Sequence, residues 1–135
     1  MKGERCAQLS VLGSQFLTGV VIVDILLQIH FRGSGWGVMN RGVSLGMFPR
    51  LGQELAVIVY FIFIILYLNH AKSRKFSFGL TLLALGGLGN LVSRLFWGGV
   101  WDYIYLPILP FWFNLSDVMI AGGILAYGWG EMRYT

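Results

Sequence analysis

The chain has 135 residues, 56% hydrophobic and 12% charged, with a formal charge of +4 and a mean hydropathy of +0.70. A soluble domain carries about 25% charged residues, so this chain lacks the polar coat it would need in water, and the membrane is its natural solvent. The basic residues form no stripe interleaved with stacking aromatics, which argues against a nucleic-acid partner, and the single cysteine, Cys6, excludes an internal disulfide and makes a cysteine-based metal centre implausible.

A membrane helix needs about 20 mostly apolar residues, and four segments qualify. The first, about 9–31, is too long for a signal peptide, is interrupted by Asp24, and is followed by no small-residue cleavage site. Gln28 stands four residues after Asp24, on the same helical face. The glycine-rich stretch Gly33–Gly37 follows, with Trp36 as its one large side chain. It reads either as a flexible piece that opens and closes over a ligand or as a simple interfacial anchor through Trp36. Asn40 and Gly42 lie just beyond it. The second span, about 52–69, starts with Gln53 and Glu54. The third, about 78–97, carries Gly86, Asn90 and Arg94 four residues apart, hence on one face. The segment from Asp102 to Asp117 is almost wholly apolar between its two carboxylates, and Pro107 and Pro110 deny it a regular helix. The fourth span, about 113–131, starts with Asn114 and Asp117 and carries Gly122, Ala126 and Gly130 as a small-residue stripe suited to close helix packing.

The basic residues orient the bundle. Lys2, Arg5, Lys72, Arg74, Lys75 and Arg133 lie on one side, against Arg32, Arg41 and Arg50 on the other. The positive-inside rule then puts both termini in the cytoplasm. With that direction, every polar group within the spans falls at one depth, near the outer surface. Ionisable groups at such a depth mark functional sites. Plainer readings exist for each taken singly. Asn114 is a good helix cap with Asp117 in the first turn; Asp102 reads as a solvated loop residue; Arg94 can snorkel outward; Gln53, Glu54, His30 and His70 suit an interface. Their convergence at one depth favours a site. A proton or ion carrier would need polar residues continuing inward, and the inner halves of the spans lack them.

The motifs in order are Asp24, then Asn40-Arg41-Gly42-Val43-Ser44-Leu45-Gly46, then Gly86-Gly87-Leu88-Gly89-Asn90 with Arg94, then Val100-Trp101-Asp102-Tyr103-Ile104, then Phe113-Asn114-Leu115-Ser116-Asp117. The series resembles the lipoprotein signal peptidases, the type II signal peptidases of bacteria. The resemblance implies an all-α membrane protein: one domain, a four-helix bundle with a small extracytoplasmic cradle, part of it β. It implies an aspartyl endopeptidase of the bacterial inner membrane, active on the extracytoplasmic side. Such an enzyme removes the signal peptide from diacylglyceryl-modified prolipoproteins, just before the lipidated cysteine, as a monomer without metal or cofactor. Asp102 and Asp117 match the catalytic pair. Asp24, Asn40, Gly42, Asn90, Arg94 and Asn114 are the substrate-binding or supporting candidates. Three residues depart from the family pattern: Ser93 where it has aspartate, Gln28 where it often has lysine, and Ser116 where it has alanine. They leave a weakened or non-catalytic relative that binds lipidated peptides as the alternative.

Overall fold

The computed structural model describes residues 2–42, 51–73 and 77–132, which fold into four helices and two small antiparallel sheets. The helices are α1 (Lys2–Ser34), α2 (Gly52–Ser73), α3 (Phe78–Trp97) and α4 (Leu115–Met132). Three of them hold stretches long and apolar enough to cross a membrane: Val11–Ser34, Gly52–His70 and Phe78–Trp97. The fourth expected span is also a helix, of 18 residues. Its two carboxylates, Asp117 and Glu131, and its glycines dilute its apolar character, so it does not stand with the other three.

The chain's local chemistry sets the helix ends. Ser77 caps α3, accepting from Leu80 N at 3.4 Å, and Gly98 ends it in the left-handed conformation at φ 68°. Helix α1 runs through Gly33 and Ser34 and stops at Gly35, whose φ is 75°. Gly35 N donates to Arg32 O at 3.4 Å and Trp36 N to Phe31 O at 3.1 Å. This pair of bonds is a Schellman stop. The glycine-rich stretch is therefore partly helix and partly an ordered cap.

Strand β1 (Val38–Asn40) pairs with β2 (Val100–Asp102), with Val38 opposite Asp102 and Asn40 opposite Val100. Strands β3 (Ile104–Leu106) and β4 (Leu109–Phe113) form a hairpin that turns at Pro107 and Ile108. Pro110 fits in β4 because the register shifts between Tyr105, opposite Trp112, and Leu106, opposite Leu109, which leaves Pro110 without a ladder partner. Ile108 at the hairpin tip is 93% exposed.

Helices α3 and α4 pack most intimately, and glycine makes this possible. A Cβ on Gly79 would meet Tyr127 N at 2.6 Å, one on Gly86 would meet Ser116 O at 2.7 Å, and one on Gly123 would meet Gly79 O at 2.8 Å. The expected stripe on α4 is thereby corrected. Gly122 and Gly130 have nothing within 4 Å of such a Cβ and Ala126 is exposed. The contact face is one residue further round, through Ser116, Met119, Gly123 and Tyr127.

The burial pattern is inverted relative to a soluble protein. Large apolar side chains such as Phe16, Leu66 and Leu125 are exposed. The largest fully buried side chains are Gln28, Val100, Asn114, Asp24, Asp102, Ser93 and Ser116, all but one of them polar. Hydrocarbon tolerates the apolar exterior; the polar interior must satisfy itself.

Candidate active site

Asp117 is positioned first by its own helix. Asn114 Oδ1 accepts from Asp117 N at 2.9 Å, and Asp117 Oδ2 accepts from Asn114 N at 3.2 Å. This is a reciprocal capping box. The plain reading of the pair as a cap is correct, yet the cap uses only one oxygen of Asp117. The other, Oδ1, accepts from Asn90 Nδ2 on α3 at 2.8 Å.

Asp102 is held from a distance. It ends β2 and is 2% exposed, which overturns its reading as a solvated loop residue. Its Oδ2 accepts from Asn40 Nδ2 at 3.0 Å and its Oδ1 from Asn114 Nδ2 at 2.9 Å. Asn114 thus touches both aspartates, donating its side-chain amide to one and capping with the other. Its amide also reaches Asn90 Oδ1 at 3.2 Å. Asn40 Oδ1 accepts from Gly42 N at 3.0 Å, and Gly42 O accepts from Arg94 Nη2 at 2.6 Å. Arg94 is 3% exposed, so it does not snorkel. Of the motif that starts at Asn40, Val43 to Gly46 lie outside the described residues.

Beneath this layer Asp24, fully buried, collects four donors: Gln28 Nε2 at 2.9 Å, Tyr103 OH at 2.7 Å, Leu115 N at 3.1 Å and Ser116 Oγ at 2.5 Å. Gln28 in turn accepts from Trp101 N at 3.2 Å. The hub therefore grips the residues on both sides of Asp102 and those just before Asp117. Asp24 and Gln28 tie both carboxylates to α1 without touching either. Above, Trp36 Nε1 donates to Tyr103 O at 3.1 Å, and Trp101 Nε1 donates to Trp36 O at 2.8 Å. Trp36 is latched to the strand rather than free in a loose loop.

Asp102 and Asp117 open on one cavity of ≈ 510 Å³, together with Asn40, Asn90, Arg94 and Trp112. Burial and the neighbouring charge of Asp117 push Asp102 up to about 7, against hydrogen bonds from Asn40 and Asn114 and the Arg94 guanidinium. Burial and the Asp24 carboxylate raise the Tyr103 phenol, which keeps it a neutral donor. Among the described residues no three His, Cys, Asp or Glu side chains are grouped to hold a metal ion. Gln53 serves as a support, donating to Arg94 O at 3.3 Å, while Glu54 is exposed.

Residues 14–132 match the family model described as signal peptidase (SPase) II. The chain belongs to the signal peptidase II family. It is 36% identical over 97 residues to the lipoprotein signal peptidase of Methylorubrum extorquens, covering 65% of this chain and 57% of that one. It is 31% identical over 105 residues to the lipoprotein signal peptidase of Anaplasma marginale, covering 72% and 62%. The matched stretches thus span about 57–62% of these relatives' length. Its fold is similar to a bacterial membrane enzyme solved by the in meso method at 2.3 Å, with TM-score 0.78 and 21% identity over 93% of this chain and 88% of that one. A second such structure, at 1.9 Å, gives TM-score 0.75 at 20% identity, over 95% of each chain. The chain is a multi-pass membrane protein.

The three departures from the signal peptidase II pattern fall in two places. Gln28 and Ser116 both donate to Asp24. Ser93, fully buried, donates to Gly89 O one turn back at 3.1 Å and does not brace Arg94. Tyr103 and Trp101 escaped the sequence reading as site supports. Within a run of aromatics nothing marked them, since Trp and Tyr are common at membrane interfaces.

Proposed function

We propose that the chain is a membrane aspartyl endopeptidase that removes the signal peptide from diacylglyceryl-modified prolipoproteins, cutting just before the lipidated cysteine. The observation that carries this reading is Asn114, which joins a buried carboxylate, Asp102, to a half-buried one, Asp117, on one cavity. Two carboxylates in so dry a site cannot cheaply both ionise, so they share a proton. The ionised member takes a proton from the attacking water while the protonated one hydrogen-bonds the scissile carbonyl. The pair titrates as a unit, and the roles belong to the pair. The apolar hairpin β3–β4 covers the site at the headgroup layer, where the cleavage point of a helical, lipid-bearing peptide would lie. The reading places both termini in the cytoplasm of a bacterial cell, α4 as the fourth span of one peptidase domain, the site on the extracytoplasmic side of the inner membrane, and the chain as a monomer.

The test is cleavage of a purified diacylglyceryl prolipoprotein in detergent or bilayer discs. The wild type should cleave it. Asp102→Asn and Asp117→Asn should each lose activity by at least ~10³-fold, since asparagine supplies no transferable proton, and each should still unfold in a cooperative thermal transition. Near-normal turnover by either variant refutes the dyad. Binding without cleavage by the wild type would instead establish the non-catalytic alternative. Activity should fall on the alkaline side, near pH 7, as the shared proton leaves the pair; a profile flat to pH 9 contradicts that assignment.

A further inference from the structure

A second cavity of ≈ 260 Å³ lies between α2 and α3, lined by Ala56, Val59, Tyr60, Phe63 and Leu83. It shares Asn90, Arg94 and Ile120 with the cavity that holds the two aspartates, so the two compartments meet at Arg94. Its outer wall, α2, is a helix long and apolar enough to cross a membrane, with few buried residues. Tyr60, the conspicuous polar group on the α2 wall, spends its hydroxyl on Ala84 O at 3.0 Å. At the junction, Arg94 Nη1 is buried and, among the described residues, has no hydrogen-bond partner, although Nη2 of the same guanidinium is bound to Gly42 O. A buried donor of this kind carries a desolvation cost until something accepts from it.

We propose that the α2–α3 cavity is the acyl subsite, taking a fatty chain of the substrate, with Arg94 Nη1 donating to the carbonyl oxygen of the ester that joins that chain to the glyceryl group. The junction fits this chemistry because an acyl ester presents one acceptor at the head of a long apolar tail. The site offers one unspent guanidinium nitrogen, Arg94 Nη1, at the mouth of a largely apolar compartment. A peptide segment would bring several backbone polar groups into the same space and find no partners for them. A phosphate would bring a multiply charged group into a compartment whose lining is mostly apolar. This subsite rests on the reading of the chain as a prolipoprotein peptidase and adds where the lipid goes.

The test uses prolipoproteins whose two chains are attached to glycerol through either ester or ether bonds, since an ether lacks the carbonyl. The wild type should cleave both, with KM for the ether form raised about tenfold and kcat little changed. In Arg94→Gln the two KM values should converge. Equal KM values for ester and ether substrates in the wild type overturn the assignment of Arg94. A substrate bearing a diazirine at the end of an acyl chain should label Val59, Phe63 or Leu83 on photolysis. Labelling confined to α1 or to the hairpin overturns the cavity assignment. Failure of the wild type to cleave any of these substrates, with acyl labelling still in the cavity, would sink the peptidase reading and leave the subsite standing. Both decisive measurements are made on the unaltered protein, so they do not depend on a variant's folding.

Discussion

The two aspartates of the site are the same residue held in opposite ways. Asp117 sits in the first turn of α4 and is fixed by a cap three residues away, with one further bond from α3. Asp102 ends a three-residue strand and is fixed by Asn40, 62 positions earlier, and Asn114, 12 positions later. One carboxylate is a product of local helix chemistry and the other of assembly. Asn114 belongs to both schemes. A carboxylate held locally should tolerate damage elsewhere, whereas one held by assembly should register every loosening of the bundle.

Replacing Asn114 breaks the comparison most severely. Asn114→Ala removes the cap and the bridge together. Activity should fall by about 10²–10³-fold, within the range of a lost acid–base group. Stability should drop by about 1 kcal/mol from the cap alone, and further from the donors and acceptors left behind. Asn114→Ser separates the two roles. Serine is a good cap but cannot deliver an amide to Asp102, so the thermal transition should recover while kcat stays low. Recovery of both would mean that the bridge is dispensable.

The aspartates should also differ in what they cost the fold. Asp102 lies near 7 in the folded protein against 3.8 for an ordinary carboxylate. A carboxyl raised on folding favours the protonated state, so its contribution is complete below 3.8 and is lost as pH climbs through 7. Between pH 5 and pH 8 the wild type should lose on the order of 2 kcal/mol on this account. Asp102→Asn forfeits one bond at every pH, since an amide accepts from only one of Asn40 and Asn114. Its stability should nevertheless lose that pH dependence. Thermal scans of both proteins at pH 5 and pH 8 decide the matter: parallel shifts would show that Asp102 is not the titrating group.

Much of this was legible from the residues. The apolar stretches located the helices because hydrocarbon demands them, and the polar residues converged because nothing else at that depth would repay their burial. Asn40, Asn90, Arg94, Asn114 and the two aspartates do meet. What the sequence could not express was contact at a distance. Gly122 and Gly130 looked like the packing stripe of α4, but the face of an 18-residue helix turns on one residue of rotation, and Gly123 took that place. Tyr103 was one aromatic among many until its hydroxyl reached Asp24 across 79 positions. Gly33 to Gly37 looked loose because glycine permits many conformations. Two of those conformations, at Gly35 and Gly37, are used for a helix stop and a close approach to β2, where a Cβ on Gly37 would lie 2.8 Å from Trp101 Nε1.

The outer supports of the two aspartates, Asn40 and Asn90, give the finest test of local against assembled positioning. Each donates one amide bond to one carboxylate, at 3.0 Å and 2.8 Å. Asp117 without Asn90 keeps its cap, so Asn90→Ala should lower kcat only about threefold. Asp102 without Asn40 keeps only Asn114, and Asn40→Ala should lower kcat about tenfold; both figures lie at the mild end of acid–base effects. The pH profile adds a sign. The Asn40 bond favours the ionised form of Asp102 and opposes burial, so removing it makes the shared proton harder to lose. The alkaline limb of kcat/KM should therefore move to higher pH in Asn40→Ala while the maximum falls. A limb that stays in place, or moves to lower pH, would show that Asn40 acts through its bond to Gly42 and not through Asp102.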